Sequence, residues 1–144
     1  MMRADLLRAP IMGGERLGVA LSRYASRYTQ DTMVLVQYIG LPLTAYSASG
    51  SAPISFETRW LMKMAQDAAR KNAGIFLVHL HEHRGKPWFS PIDMETNRTI
   101  VQPLALIDQT SPTGALVLSL DDAAAVVGRS DGLVAISVRQ VATT

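Results

Sequence analysis

The 144-residue sequence contains no cysteine. This absence excludes disulfide bonds, thiolate zinc sites and cysteine nucleophiles, so any metal site must be built from histidine and carboxylate side chains. A large excess of one charge is also missing, because 14 Lys and Arg residues stand against 12 Asp and Glu residues. This near balance argues against a nucleic-acid-binding surface.

Long apolar runs are missing as well. The N-terminal segment is broken by Pro10 before an apolar stretch of signal-peptide length has formed. The longest uncharged stretch, residues 32–56, is diluted by Gln, Gly, Pro, Ser and Thr. We therefore expect a cytoplasmic protein with no secretory signal and no membrane contact.

The composition that is present is typical of a folded domain. Hydrophobic residues make up 48% of the sequence and charged residues 18%, which is enough apolar material for a core. The length is that of one domain, so we expect residues 1–144 to fold as a single unit. Strand and helix patterns alternate without a glycine-rich phosphate loop, which predicts an α/β or α+β fold.

Two kinds of pattern predict the elements of that fold. Short runs rich in β-branched and apolar residues predict a mostly buried strand at 33–39, a strand buried on both faces at 75–78, and strands at 115–120 and 133–138. Three- and four-residue spacing predicts a helix from Ser55 to Gly74, and we also expect helices over 15–28, from 87–93 to about Asn97, and over 121–127.

All three histidines of the protein fall within five positions, at His79, His81 and His83. If the strand before them continues, alternation places the three imidazoles on one face, and two of them can share a metal ion. Zinc favours tetrahedral coordination by nitrogen and oxygen, so two histidines and one Asp would supply three ligands. The alternative interpretation is a histidine-rich surface loop that captures metal only incidentally.

Residues downstream favour the metal site, because the pattern resembles the JAMM motif of the JAB/MPN metalloproteases. The matching residues are Glu15, His79-Leu80-His81, Ser90 and Asp93. The resemblance implies a single MPN/JAB-like domain with a curved mixed β-sheet flanked by helices, similar to that of cytidine deaminases. It also implies that the histidine pair follows a buried strand and that Asp93 begins a helix.

The same resemblance implies the chemistry. Zn²⁺ would be held by His79, His81 and Asp93, with Glu15 as general base and the Ser90 hydroxyl as donor to the oxyanion. The substrate would be ubiquitin or a ubiquitin-like modifier, cleaved from conjugates or from its precursor. Glu82 and Glu95 remain alternative acids, and the oligomeric state is not predicted.

The spacing departs from the family pattern by one residue. Eight residues separate His81 from Ser90, where the family has about seven, and a His81–His83 pair would leave six. We prefer His79 and His81 as the ligand pair, because His79 directly follows the apolar strand. His83 would then orient a ligand or face the substrate. Trp88 and Phe89 would either line a substrate groove or pack the loop.

Two other functions fit the same residues. One is a metal-free MPN scaffold that binds a partner protein without catalysis, although such scaffolds typically lose ligands that are present here. The other is a JAB-type hydrolase of a small peptide or a sulfur-carrier adduct.

Overall fold

A computed structural model describes residues 2, 6, 17–26, 29–40 and 58–139. Along the chain, the elements are β1 (Leu17–Ser26), β2 (Thr29–Gly40), α1 (Thr58–Arg70), β3 (Gly74–Leu80), α2 (Pro91–Thr96), a π-helical turn (Asn97–Val101), α3 (Gln102–Ile107), β4 (Gly114–Leu118), β5 (Ala123–Arg129) and β6 (Gly132–Ile136). The class is mixed α/β, as the alternating patterns predict.

The six strands form one mixed sheet in the order β2-β1-β3-β4-β5-β6. Strands β3 and β4 are parallel, and the other neighbouring pairs are antiparallel. One face packs against α1 and the helical segment 91–107 around Leu61, Leu77 and Val101. The opposite face contains Phe76 and Val78 and is packed by Leu6.

Strand β3 lies inside the sheet and positions the histidines. All seven of its residues are buried, as the continuous apolar run at 75–78 predicts. Its register sets His79 beside Leu17 of β1 on one side and Val117 of β4 on the other. The carboxyl end of this central strand therefore delivers the chain directly to the histidine cluster.

The predicted helix over 15–28 is wrong, because residues 17–26 form strand β1. The apolar residues at its start pair with both β2 and β3, and this long-range pairing outweighs local spacing. Gly18 contributes through its missing side chain, since the Tyr38 ring occupies the space that a Cβ atom would need.

The predicted helix over 121–127 is also wrong, because residues 123–129 form strand β5. The alanine run favours a helix locally, but β5 pairs with β4 and β6 and contributes Ala125 and Val127 to the core. The strand predicted at 133–138 is observed as β6, which follows a tight turn with Gly132 at a φ of 134°.

Three predictions need a narrower correction. The strand predicted at 33–39 lies within β2, but it is an edge strand, and Val34, Leu35 and Val36 are 38–48% exposed. The helix predicted to end near Asn97 continues through the π-helical turn and α3 to Ile107. The predicted helix from Ser55 to Gly74 is observed over Thr58–Arg70, and Ser55 lies outside the described residues.

None of the described helices is both long and apolar enough to cross a membrane.

Candidate metal centre

The candidate centre forms where β3 ends and α2 begins. His79 is the penultimate residue of β3, His81 follows the strand directly, and Asp93 lies in the first turn of α2. The segment between them turns back over the end of the sheet. Side chains 14 positions apart in sequence, His79 and Asp93, thereby meet.

One carboxylate oxygen faces both imidazoles. Asp93 Oδ2 lies 3.2 Å from His79 Nε2 and 3.5 Å from His81 Nε2, and the two imidazole rings are 4.9 Å apart. The side chains of His79 and Asp93 are 5% exposed, whereas that of His81 is 16% exposed. The group is therefore buried on the Asp93 side and reached by solvent on the His81 side.

Hydrogen bonds across the start of α2 fix the carboxylate. The Ser90 backbone N–H donates to Asp93 Oδ2 at 2.7 Å, and the Asp93 backbone N–H donates to Ser90 Oγ at 3.2 Å. This reciprocal pair is a capping box, which satisfies two backbone donors at the helix start, with Pro91 in the first turn. Asp93 thus caps the helix with the same oxygen that faces the histidines.

The electrostatics favour an ionised Asp93 and a neutral His81. Burial of Asp93 favours its neutral form, but the adjacent His79 imidazole and the hydrogen bonds from Ser90 outweigh burial and lower its pKa to about 2. Burial, followed by the proximity of His79, lowers the pKa of His81. A carboxylate and a neutral imidazole are the forms that bind a metal ion.

The three side chains fit a metal ion in composition and spacing. Ligand atoms at about 2.0–2.2 Å from a tetrahedral zinc lie about 3.3–3.6 Å from each other. The two histidine–aspartate distances are close to this range, and the three ligand atoms all lie within 4.8 Å of one another. His79 Nε2 is buried and forms no aligned hydrogen bond with any described residue, despite its 3.2 Å distance from Asp93. A shared ion would satisfy this atom.

Five aromatic rings form a row through the centre, from the protein interior to the surface. The order is Phe89, His79, His81, His83 and Trp88, with successive centroid distances of 6.2, 4.9, 6.0 and 5.0 Å. Phe89 packs against the core, whereas Trp88 is 64% exposed. Trp88 and Phe89 are adjacent in sequence but lie at opposite ends of the row, and only Phe89 packs into the interior.

The loop that carries His83 is hydrogen-bonded to the turn between β4 and β5. The Gly85 N–H donates to Asp121 Oδ1 at 2.7 Å, and Arg84 lies 3.8 Å from the other Asp121 oxygen. Gly85 has a φ of 87°, a conformation that suits glycine. The sequence interpretation missed Asp121 because it assigned this residue to the start of a helix.

The structure brings together part of the predicted site. His79, His81 and Asp93 form the group, with Ser90 bonded to Asp93. Strand β3 ends at Leu80, so His83 lies in the loop and outside this group. Glu15 lies outside the described residues, and its role as general base stays a prediction.

The two alternative acids differ in their surroundings. Glu82 and Glu95 are both exposed, and Glu95 accepts a 2.6 Å hydrogen bond from Arg98. Neither belongs to the histidine–aspartate group.

No protein-family model matches this chain, and no curated protein matches it in sequence. The capacity to bind a metal ion therefore rests on the geometry of His79, His81 and Asp93. Similarity to the JAB/MPN metalloproteases stays a prediction from the motif.

Proposed function

We propose that the protein is a zinc-dependent isopeptidase or peptidase of the JAB/MPN type that removes ubiquitin or a ubiquitin-like modifier from conjugates or precursors. The observation that carries the proposal is the convergence of His79 Nε2 and His81 Nε2 on one oxygen of Asp93. The motif places Ser90 in the same site, where it bonds to Asp93.

His79, His81 and Asp93 are the residues that would hold the ion. A zinc ion bound by them supplies Lewis-acid polarisation of a carbonyl group and lowers the pKa of a water ligand toward about 7. Asp93 is held ionised by the His79 imidazole and by Ser90, and the lowered pKa of His81 keeps its imidazole neutral. Asp93 and His81 are therefore in their metal-binding forms at neutral pH.

Ser90 can act on the substrate while it caps the helix. Its Oγ atom accepts the Asp93 backbone N–H at 3.2 Å, and its hydroxyl carries one proton that it can donate. That proton can be donated to the oxygen of a scissile carbonyl as negative charge develops there. Because the hydroxyl is anchored by the cap, it needs little reorganisation during the reaction.

The general-base role of Glu15 is proposed from the motif, and the distance along the chain allows it. Leu17 lies opposite His79, and Glu15 precedes Leu17 by two residues. Two residues of chain span at most about 7 Å, so the sequence distance is compatible with a carboxylate that serves this site.

The open side of the centre suits a peptide chain. Solvent reaches the group at His81, and the neighbouring loop presents the exposed indole of Trp88. Exposed apolar side chains also come from Ile92, beside Asp93, and from Leu120, whose N–H donates to the His83 carbonyl at 2.8 Å. Apolar side chains around a few polar groups are typical of a substrate-binding surface.

Activity, metal dependence and substrate class can be tested together. Untagged protein is incubated with a panel of ubiquitin and ubiquitin-like fusions, with and without a chelator, and its zinc content is measured. We expect one zinc per chain and cleavage that chelation abolishes and zinc restores. Cleavage of short peptides alone would favour the small-substrate hydrolase, and modifier binding without cleavage would favour the scaffold.

Substitutions then assign the activity to this site. Asp93→Asn should lose zinc and turnover, whereas Asp131→Asn, in the exposed turn between β5 and β6, should retain both. Glu15→Gln should retain zinc and lose turnover. Full activity of Asp93→Asn without zinc would contradict the proposal.

A further inference from the structure

His83 has the surroundings of a metal-ligating histidine, although it lies outside the group of His79, His81 and Asp93. Its Nδ1 atom is 2.9 Å from the Arg84 carbonyl oxygen. A carbonyl oxygen only accepts hydrogen bonds, so in the neutral imidazole Nδ1 carries the proton and Nε2 presents its lone pair. Histidines that bind metal ions usually donate their other ring N–H to such a partner, which fixes their orientation.

The lone pair of His83 Nε2 lacks a partner. The atom is buried and forms no hydrogen bond with any described residue. A buried acceptor without a partner is unfavourable, typically by about 1–3 kcal/mol. His79 Nε2, on the other side of His81, is also buried and has no aligned hydrogen bond with a described residue. The row of imidazoles therefore has an unsatisfied nitrogen on either side of His81.

The backbone holds His83 close to the centre. Its N–H donates to the His81 carbonyl at 2.9 Å, and its carbonyl accepts from the Leu120 N–H at 2.8 Å. The His81–His83 ring separation is 6.0 Å, against 4.9 Å for His79–His81. With the backbone held on both sides, rotation of the His83 side chain is the motion that would bring Nε2 toward the group, and this rotation would release the Nδ1 contact with the Arg84 carbonyl.

We propose that His83 is a fourth, exchangeable protein ligand for the metal ion held by His79, His81 and Asp93. The inference rests on the metal centre of the proposed function and is independent of its substrate. In the observed arrangement, the His83 ring stacks on Trp88 with an interplanar angle of 23°, which holds it away from the group. In the alternative arrangement, Nε2 would supply the fourth ligand to the ion, in place of the water that a catalytic zinc site binds.

Two substitutions separate ligation from packing. His83→Phe retains a ring that can stack on Trp88 but has no nitrogen, whereas His83→Ala removes both. If His83 binds the ion, both variants should weaken zinc affinity by about tenfold or more, measured by competition with a chelator. His83→Gln also lacks the imidazole and should likewise weaken zinc affinity. Lys86→Ala, at an exposed position of the same loop, should retain the wild-type affinity.

Trp88→Ala should act in the opposite direction, because it removes the ring that holds His83 outward. We expect zinc affinity equal to or above that of the wild type. A direct readout is NMR of the ¹¹³Cd-loaded, ¹⁵N-labelled full chain, in which cadmium should couple to three imidazoles in the wild type and to two in His83→Phe.

The outcomes distinguish this inference from the proposed function. Wild-type zinc affinity in His83→Phe, with or without a loss in His83→Ala, would overturn ligation by His83, as would cadmium coupling to only two imidazoles in the wild type. If affinity falls in His83→Phe but no modifier fusion is cleaved, the inference stands and the proposed function fails. A wild-type chain that binds no zinc would overturn both.

Discussion

Ser90 and Asp93 bond to each other in both directions across the first turn of α2, through contacts of 2.7 and 3.2 Å. The same Asp93 oxygen that accepts the Ser90 N–H faces both histidines. Helix initiation and the orientation of the Asp93 carboxylate toward the histidines are therefore one structural event. A substitution at either position should change both the stability of the helix and the properties of the centre.

Substitutions of Ser90 can separate its two roles. Ser90→Ala removes the cap and should destabilise the protein by about 1 kcal/mol. Ser90→Gly should destabilise it by only a few tenths of a kcal/mol. Both remove the hydroxyl, so both should lower turnover by about 100–1000-fold if Ser90 donates to the developing oxyanion. Urea unfolding and steady-state kinetics measure the two effects. Turnover that tracks stability across the two variants would indicate a purely structural role.

The stability of the metal-free protein should depend on pH through Asp93. Its folded pKa of about 2 is below the usual 3.8, so ionised Asp93 stabilises the fold above about pH 4. This contribution, about 2 kcal/mol, should be lost as the pH falls from about 4 toward 2. Urea unfolding in the presence of a chelator should show this loss for the wild type and a smaller one for Asp93→Asn. Parallel pH profiles would contradict the prediction.

Asp121 should control the order of the loop that carries His83. Asp121→Ala removes the acceptor of the Gly85 N–H and the partner of Arg84. We expect faster hydrogen exchange at the Gly85 amide, measured by NMR, because this N–H becomes available to water. Asp131→Ala, in another exposed turn, is the matched control and should leave this exchange rate unchanged.

Gly18 should resist substitution because of Tyr38. A Cβ atom on Gly18 would meet the Tyr38 ring, so Gly18→Ala should destabilise the protein by about 1–3 kcal/mol. Tyr38→Ala makes room for this atom, and the double variant should be less destabilised than the sum of the two single variants. Additive free energies of unfolding would show that the ring moves aside without cost.

The parts of the fold that sequence predicts are those specified by short stretches of chain. Strand β3 is a continuous apolar run, and the candidate centre is a linear pattern from His79 to Asp93, so both are visible locally. Strands β1 and β5 are not, because their local spacing or alanine content favours helix and only pairing with distant strands makes them extended. The same limit applies to Asp121, whose contact with Gly85 joins residues 36 positions apart.

The exposure of β2 and the position of His83 show a second limit. The β-branched and apolar run at 33–39 predicts a strand but does not predict whether that strand lies at the edge or in the interior of the sheet, because this depends on the order of all six strands. Strand alternation predicts His83 on the same face as His79, but the backbone turns at Glu82, where the His83 N–H meets the His81 carbonyl. Local sequence does not specify where a strand stops.

The candidate centre lies between two regions of different character. His79 belongs to a strand that is buried along its whole length and paired on both sides, whereas Asp93 belongs to a six-residue helix that begins at an exposed proline. An ion held by both would join the sheet to the helical segment 91–107. Metal occupancy and local opening of that segment then become competing states of one equilibrium, so the concentration of free metal would set how often the helix detaches.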